Sequence, residues 1–223
     1  MTFSIVARDV SGALGMAVSS SSPAVAARCI HLRSGVGAVG SQNITDPRYG
    51  ATLLDAFEAG TAPDEALATL MSTDSTGEYR QVAVVDAAGR TAVHSGAHTL
   101  GTYATATGDG VVTAGNLLAS AEVPAAMLAA FEAAEGDLEL RLMAAMRAGL
   151  AAGGEAGEVH SAGLAVVREA GWNVTDLRVD WDDEDPIGRL AALLELWLPQ
   201  RDDYVTRGMH PETAPAYGVP GDE

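Results

Sequence analysis

A threonine stands directly behind the initiating methionine, in Met1-Thr2-Phe3-Ser4-Ile5-Val6-Ala7-Arg8. A small second residue permits removal of Met1. The α-amine left on Thr2 would then have a pKa near 8, low enough to act as general base for the threonine's own hydroxyl. Such a pair replaces a serine–histidine couple and suits acyl transfer. Standing alone, Met1-Thr2 is a weak signal, because many chains begin this way for no chemical reason. What strengthens it is the alternation from residue 3 to 8, which predicts a strand starting at once and so a rigidly anchored nucleophile.

Other residues can be set around that threonine. Asn116 follows Gly115 at a predicted strand end, where its amide is either an oxyanion donor or a turn former. Arg48, behind the cap Asp46-Pro47, can hold a substrate carboxylate in a bidentate fork or pair with an acidic neighbour. Arg28 is a second candidate for the same task. Gln42 and Asn43 end a predicted strand and offer neutral donors and acceptors to a ureido group. Ser20 and Ser21 line the site if the first hairpin has the expected register, and otherwise form a turn. Arg178 and Asp180 share one face of a strand, where they either orient the Thr2 amine or pair across the sheet.

Several chemistries are excluded or disfavoured. All 13 basic side chains are arginine, so Schiff-base chemistry, Ser-Lys dyads and a Walker A loop are ruled out. The lone cysteine, Cys29, lies in an apolar run and reads as a small buried hydrophobe in a reducing compartment. His94 and His98 are four apart, but in strand and turn rather than helix, so no zinc site is expected. The acidic run 180–185 lacks EF-hand spacing and reads as a solvated loop ending in a helix cap. No metal and no cofactor are expected. A net charge of −17 argues against nucleic acid and anionic membrane as partners. With neither a signal peptide nor an apolar run long enough to span a bilayer, the expected location is cytoplasmic.

The elements that must position these residues follow from periodicity. Strands are predicted at 3–8 and 13–18, joined by the four-residue turn 9–12. Pairing Arg8 with Ala13 sets Thr2 opposite Ser19. A glycine-rich strand follows at 35–42, then a helix from Asp46-Pro47 to Gly60 and a second from the Thr61-Ala62-Pro63-Asp64 start. Further strands are expected within 80–94, at 102–106 and at 110–115. Two helices broken near Gly136 span 122–150. Strands at 161–167 and 174–179 precede a last helix, 187–197. The domain is expected to cover 1–198, with 199–223 a surface tail.

Taken in order, these segments are similar to the DUF1028 family of Ntn-hydrolase-like proteins. The matching pieces are the Met1–Arg8 start, Gly35-Val36-Gly37-Ala38-Val39 leading into Gln42-Asn43, and Thr45-Asp46-Pro47-Arg48. Further on come Gln81–Asp86, Gly115-Asn116-Leu117-Leu118-Ala119 and Asp176-Leu177-Arg178-Val179-Asp180. The resemblance implies an α+β fold of the four-layer αββα Ntn-hydrolase type. It implies an amidohydrolase that cleaves a small ureido or amide substrate through Thr2, with Asn116 at the oxyanion. The Ser20–Pro23 and Tyr204…Glu223 pieces further suggest ureidoacrylate or peroxyureidoacrylate in pyrimidine catabolism. The expected partner is therefore a small molecule, anionic in that case and held by arginine, with homo-oligomerisation left open. The rival reading is a ligand-binding protein on the same scaffold without turnover.

Overall fold

In the computed structural model, which describes residues 2–221, β1 (Thr2–Arg8) is buried along almost its whole length. A strand buried on both faces needs a partner layer on each side. Phe3, Ile5 and Ala7 join one apolar cluster and Val6 another, as period-two alternation requires.

The chain continues through β2 (Leu14–Ser20), α1 (Ala26–Cys29), β3 (Ile30–Arg33), β4 (Gly37–Asn43), α2 (Arg48–Glu58) and α3 (Pro63–Thr73). It then forms β5 (Arg80–Asp86), β6 (Thr91–Ser95), β7 (Ala104–Gly108), β8 (Val111–Asn116), α4 (Val123–Ala133) and α5 (Leu138–Ala151). β9 (Ser161–Val167), β10 (Asn173–Val179) and α6 (Pro186–Met209) complete it. The class is α+β, with two antiparallel sheets: one in the order β10-β9-β2-β1-β8-β7, the other β3-β4-β5-β6.

Three apolar clusters hold these elements together. Phe3, Ile5 and Leu164 meet Met127 and Phe131 of α4, Leu142 and Met146 of α5, and Leu190 and Leu194 of α6. Val39, Val82 and Val84 meet Leu53, Leu54 and Phe57 of α2 and Leu67 of α3. Between them, Val6, Met16, Val18 and Val112 of the larger sheet pack on Ala38, Ala83 and Val85 of the smaller. Full burial of each large side chain contributes about 1.5–3 kcal/mol. At Gly40 the sheets come so close that a Cβ would lie 2.9 Å from Met16 Cε. No helix among the described residues is long and apolar enough to cross a membrane.

The structure departs from expectation at three places. The first hairpin pairs Arg8 with Leu14 and Phe3 with Ser19, one residue away from the expected register. Its loop takes in Ala13, because the Asp9 carboxylate accepts from the N–H of both Ser11 and Ala13 and Asp9 N–H donates to Ala13 C=O. Neither α1, which falls in the apolar run around Cys29, nor strand β3 after it was expected. The last helix continues through Pro199 to Met209 rather than ending at 197. Pro199 and Glu195 are exposed, so water can satisfy the carbonyl that the proline leaves without a donor. Tertiary contacts hold the extension: buried Arg201 bonds Asp137 and Glu139, and Trp197 Nε1 donates to Thr175 Oγ1 of β10 at 3.1 Å. The acidic run does end in a cap, with Asp185 accepting from Gly188 N–H at 2.8 Å.

Candidate functional site

The space between the sheets changes character along β1. Beside Val6 it is apolar. Two and four residues earlier on the same face stand Ser4 and Thr2, both buried. Asn116 lies directly opposite Thr2 on β8, so their side chains share that face, with Cβ atoms about 5 Å apart. Ser20 falls on the same face of β2, in line with Leu14, Met16 and Val18. The smaller sheet answers with Gln42 and Gln81, which are paired across β4 and β5. One end of the inter-sheet space is thus lined by hydroxyls and amides from five strands.

Buried polar groups must find partners, and most of these do so among themselves. Ser4 Oγ donates to Gln42 Oε1 at 2.6 Å, and Gln42 Nε2 donates to Gln81 Oε1 at 2.7 Å. Gln81 Nε2 donates to Gly115 C=O at 3.1 Å and to Ser95 Oγ at 3.0 Å. Asn116 Nδ2 donates to Gln81 Oε1 at 3.1 Å. Asn116 Oδ1 is buried and has no partner among the described residues. One Asn116 N–H is therefore tied to the amide network and the other is open to an oxyanion, while the side-chain carbonyl faces the site as an acceptor.

A carboxylate not anticipated from the sequence completes the arrangement. Past Thr2, the flanking strands run on through Ser20 to Ser21 on one side and Asn116 to Leu118 on the other. Glu155 ties these two continuations together. Its Oε1 and Oε2 accept from Ser21 N–H at 3.1 and 3.2 Å, and its backbone bridges Leu118. Ala119 N–H to Gly154 C=O and Ala156 N–H to Leu117 C=O fix the segment. Glu155 is 4% exposed, and burial raises its carboxyl to about 7, against the pull of the chain's amino terminus and the Ser21 bonds. No spacing rule marks one glutamate among 30 acidic residues, so only the fold could single it out.

The remaining candidates are placed as follows. Arg48 is not at the seam: its guanidinium, 87% exposed, grips Asp46 through Nε and Nη2 and lowers that carboxyl's pKa. It lines a groove with Tyr49, Leu70 and Asp74 instead. Arg28 donates to the Pro23 and Ala24 carbonyls and to Ser22 Oγ, bracing the loop after β2. Asn43, in the left-handed region at φ 69, pins loops through Tyr79 C=O and Leu100 N–H. Gln42, Ser20 and Ser21 are at the seam, Ser20 with its hydroxyl on Ser22 Oγ at 2.8 Å. Arg178 and Asp180 are remote. β9 and β2 separate β10 from β1, about 14 Å at the usual strand spacing, and Arg178 pairs with Asp176. Cys29 is buried, and burial pushes its thiol up to about 11, which leaves it inert. His94 bonds Gly77 C=O and His98 packs on Tyr79. A surface groove of about 560 Å³, lined by Ser34, Arg168 and Asp202, opens beside Ser11 and Gly12 at the far end of β1.

A family model, DUF1028, a family of unknown function, matches residues 2–190. The chain belongs to that family. Among solved structures, the crystal structure of protein SPO2555 from Silicibacter pomeroyi, assigned to the same family, is 29% identical with a TM-score of 0.86. That similarity covers 92% of this chain and 90% of the other. No curated protein matches the sequence.

Proposed function

We propose that this DUF1028 protein is an N-terminal-nucleophile amidohydrolase of the four-layer αββα kind, acting on a small amide or ureide. The observation that carries the reading is the position of Thr2. It heads an interior strand, buried, and is paired with Asn116 where the inter-sheet space turns from apolar to polar. The outer helices over both sheets are consistent with the four layers.

The reaction requires Met1 to be removed. Thr2 Oγ then bonds to the substrate carbonyl carbon while its proton passes to the α-amine. The free N–H of Asn116 supports the oxyanion. As the intermediate collapses, the C–N bond breaks and the ammonium returns its proton to the leaving nitrogen. Water adds to the resulting acyl or carbamoyl ester, giving a proton to the amine. The bond from carbon to Oγ then breaks and Oγ recovers a proton.

One N–H of Gln42 and one N–H and the carbonyl of Asn116, all left over from the network that Gln81 holds together, offer the amide donors and acceptor that a ureido group needs. A carboxylate such as that of ureidoacrylate also needs a cation, and Arg48 and Arg28 are engaged by Asp46 and by loop carbonyls. An uncharged amide or ureide therefore suits the seam better. Ammonium or amine release from a panel of small ureides and amides, ureidoacrylate included, tests the proposal. Wild type should turn over at least one and Thr2→Ala none. Saturable binding without turnover in protein lacking Met1 would favour the ligand-binding alternative.

A further inference from the structure

Two glutamates are buried among the described residues, and only one is paired with arginine. Glu139 is fully buried and meets Arg168 at 2.6 Å, Arg201 at 3.1 Å and the Thr175 hydroxyl at 2.9 Å. Glu155 is also buried, yet among the described residues no arginine or histidine forms an ion pair with it, and both its oxygens accept from the Ser21 N–H. A buried carboxylate without a cation is a standing cost unless the cation arrives in the working state. The charged groups that act on it are the chain's amino terminus and His160, which leads into β9, while Glu158, Asp183, Glu184 and Asp185 line with it a pocket of about 220 Å³. The acidic groups of that pocket deepen the demand for positive charge.

We propose that Glu155 is the positioning residue for the α-amine of Thr2. The carboxylate sits across the line on which β1 begins, tied to the continuations of both flanking strands. It accepts a hydrogen bond from the amine, aims the nitrogen lone pair at Oγ and stabilises the ammonium formed during attack. This inference rests on Thr2 being the amino-terminal nucleophile.

The absence of lysine makes the test clean, because the α-amine is the only amine in the chain. Protein freed of Met1, with its mass verified, is acetylated with acetic anhydride from pH 5 to 10. The rate at the terminal peptide gives the amine pKa for wild type, Glu155→Gln and Glu155→Asp. Thr2 acylation by a β-lactone is followed in parallel. Wild type should show an amine pKa about one unit or more above that of Glu155→Gln, with Glu155→Asp between them. The Gln variant should also acylate about tenfold or more slowly. Glutamine can still accept from Ser21 N–H, and the Asp variant provides a second arm if the Gln variant folds poorly. An equal amine pKa in wild type and both variants overturns the proposal, even if Thr2 is acylated normally. A shifted amine pKa with no acylation of Thr2 supports the contact with Glu155 and removes the nucleophile instead.

Discussion

The two ends of the inter-sheet space are made by the same strands and differ only in what alternate positions carry. Toward the first hairpin loop, Val6, Met16, Ala38, Val85 and Val112 interlock. Toward Thr2 the corresponding positions hold Ser4, Ser20, Gln42, Gln81 and Asn116, all buried. Burial at the first end is directly favourable. At the second, each group gains only about 0.5–1.5 kcal/mol net when its hydrogen bonds are made and loses more when they are not. A protein selected for stability alone would continue the apolar packing. The polar end is the costlier construction, which is why the proposed site is placed there.

The largest effect expected from that contrast is at Thr2. Thr2→Ala should lower turnover on the order of 10⁴-fold or more while leaving urea stability near wild type. Met16→Ala at the apolar end should do the reverse, costing about 2–5 kcal/mol in urea unfolding with little change in kcat. If both variants lose activity and stability together, the division between the two ends fails.

Next in size is the amide network. Gln81→Leu strands the donors of Gln42 and Asn116 and should cost about 1–3 kcal/mol. Adding Gln42→Leu should recover part of that loss, because it removes one of the two stranded donors at the cost of the Ser4 hydroxyl's acceptor, but not the activity. Strictly additive losses in the double variant would argue against a connected network.

Glu155 gives a pH signature. Its folded carboxyl lies near 7 against an ordinary 4.5. Between those values the folded state holds a proton that the unfolded chain has released, so stability falls as pH rises through this window. Urea midpoints at pH 5 and pH 8 should differ in wild type, and Glu155→Gln should reduce the difference. An unchanged difference would mean that other groups produce the slope.

The smallest effect belongs to Arg48. Because its guanidinium is exposed and already held by Asp46, Arg48→Gln should leave kcat/KM for an uncharged ureide and the unfolding midpoint unchanged. A fall in kcat/KM confined to ureidoacrylate would restore the arginine as a carboxylate ligand.

Much of this was legible in the chain. Elements with strong periodicity appeared where expected: β5 and β6, the α4–α5 pair broken at Gly136, and β1 with its nucleophile candidate. The proximity of Asn116 to Thr2 also emerged as expected. Three things were not legible, each for a physical reason. The first hairpin register depended on one Asp9 carboxylate drawing Ala13 into the loop, and the slip matters because it puts Ser20 rather than Ser19 on the face of Thr2. α6 passes Pro199 because Arg201 and Trp197 find partners on other elements, which no local rule reports. The side-chain amides of the network meet across 35 positions from Asn116 to Gln81 and 39 from Gln42 to Gln81, and Glu155 meets Ser21 across 134. Such meetings are decided by tertiary packing.

The central claim is that Thr2 becomes an amino-terminal nucleophile. Its most direct test is intact mass with peptide mapping of protein purified from its native host, before and after a β-lactone. The account predicts loss of Met1 and a single ester adduct on the Thr2 side chain, absent in Thr2→Ala. Retained Met1 in active protein, or an adduct on any other residue, would contradict it.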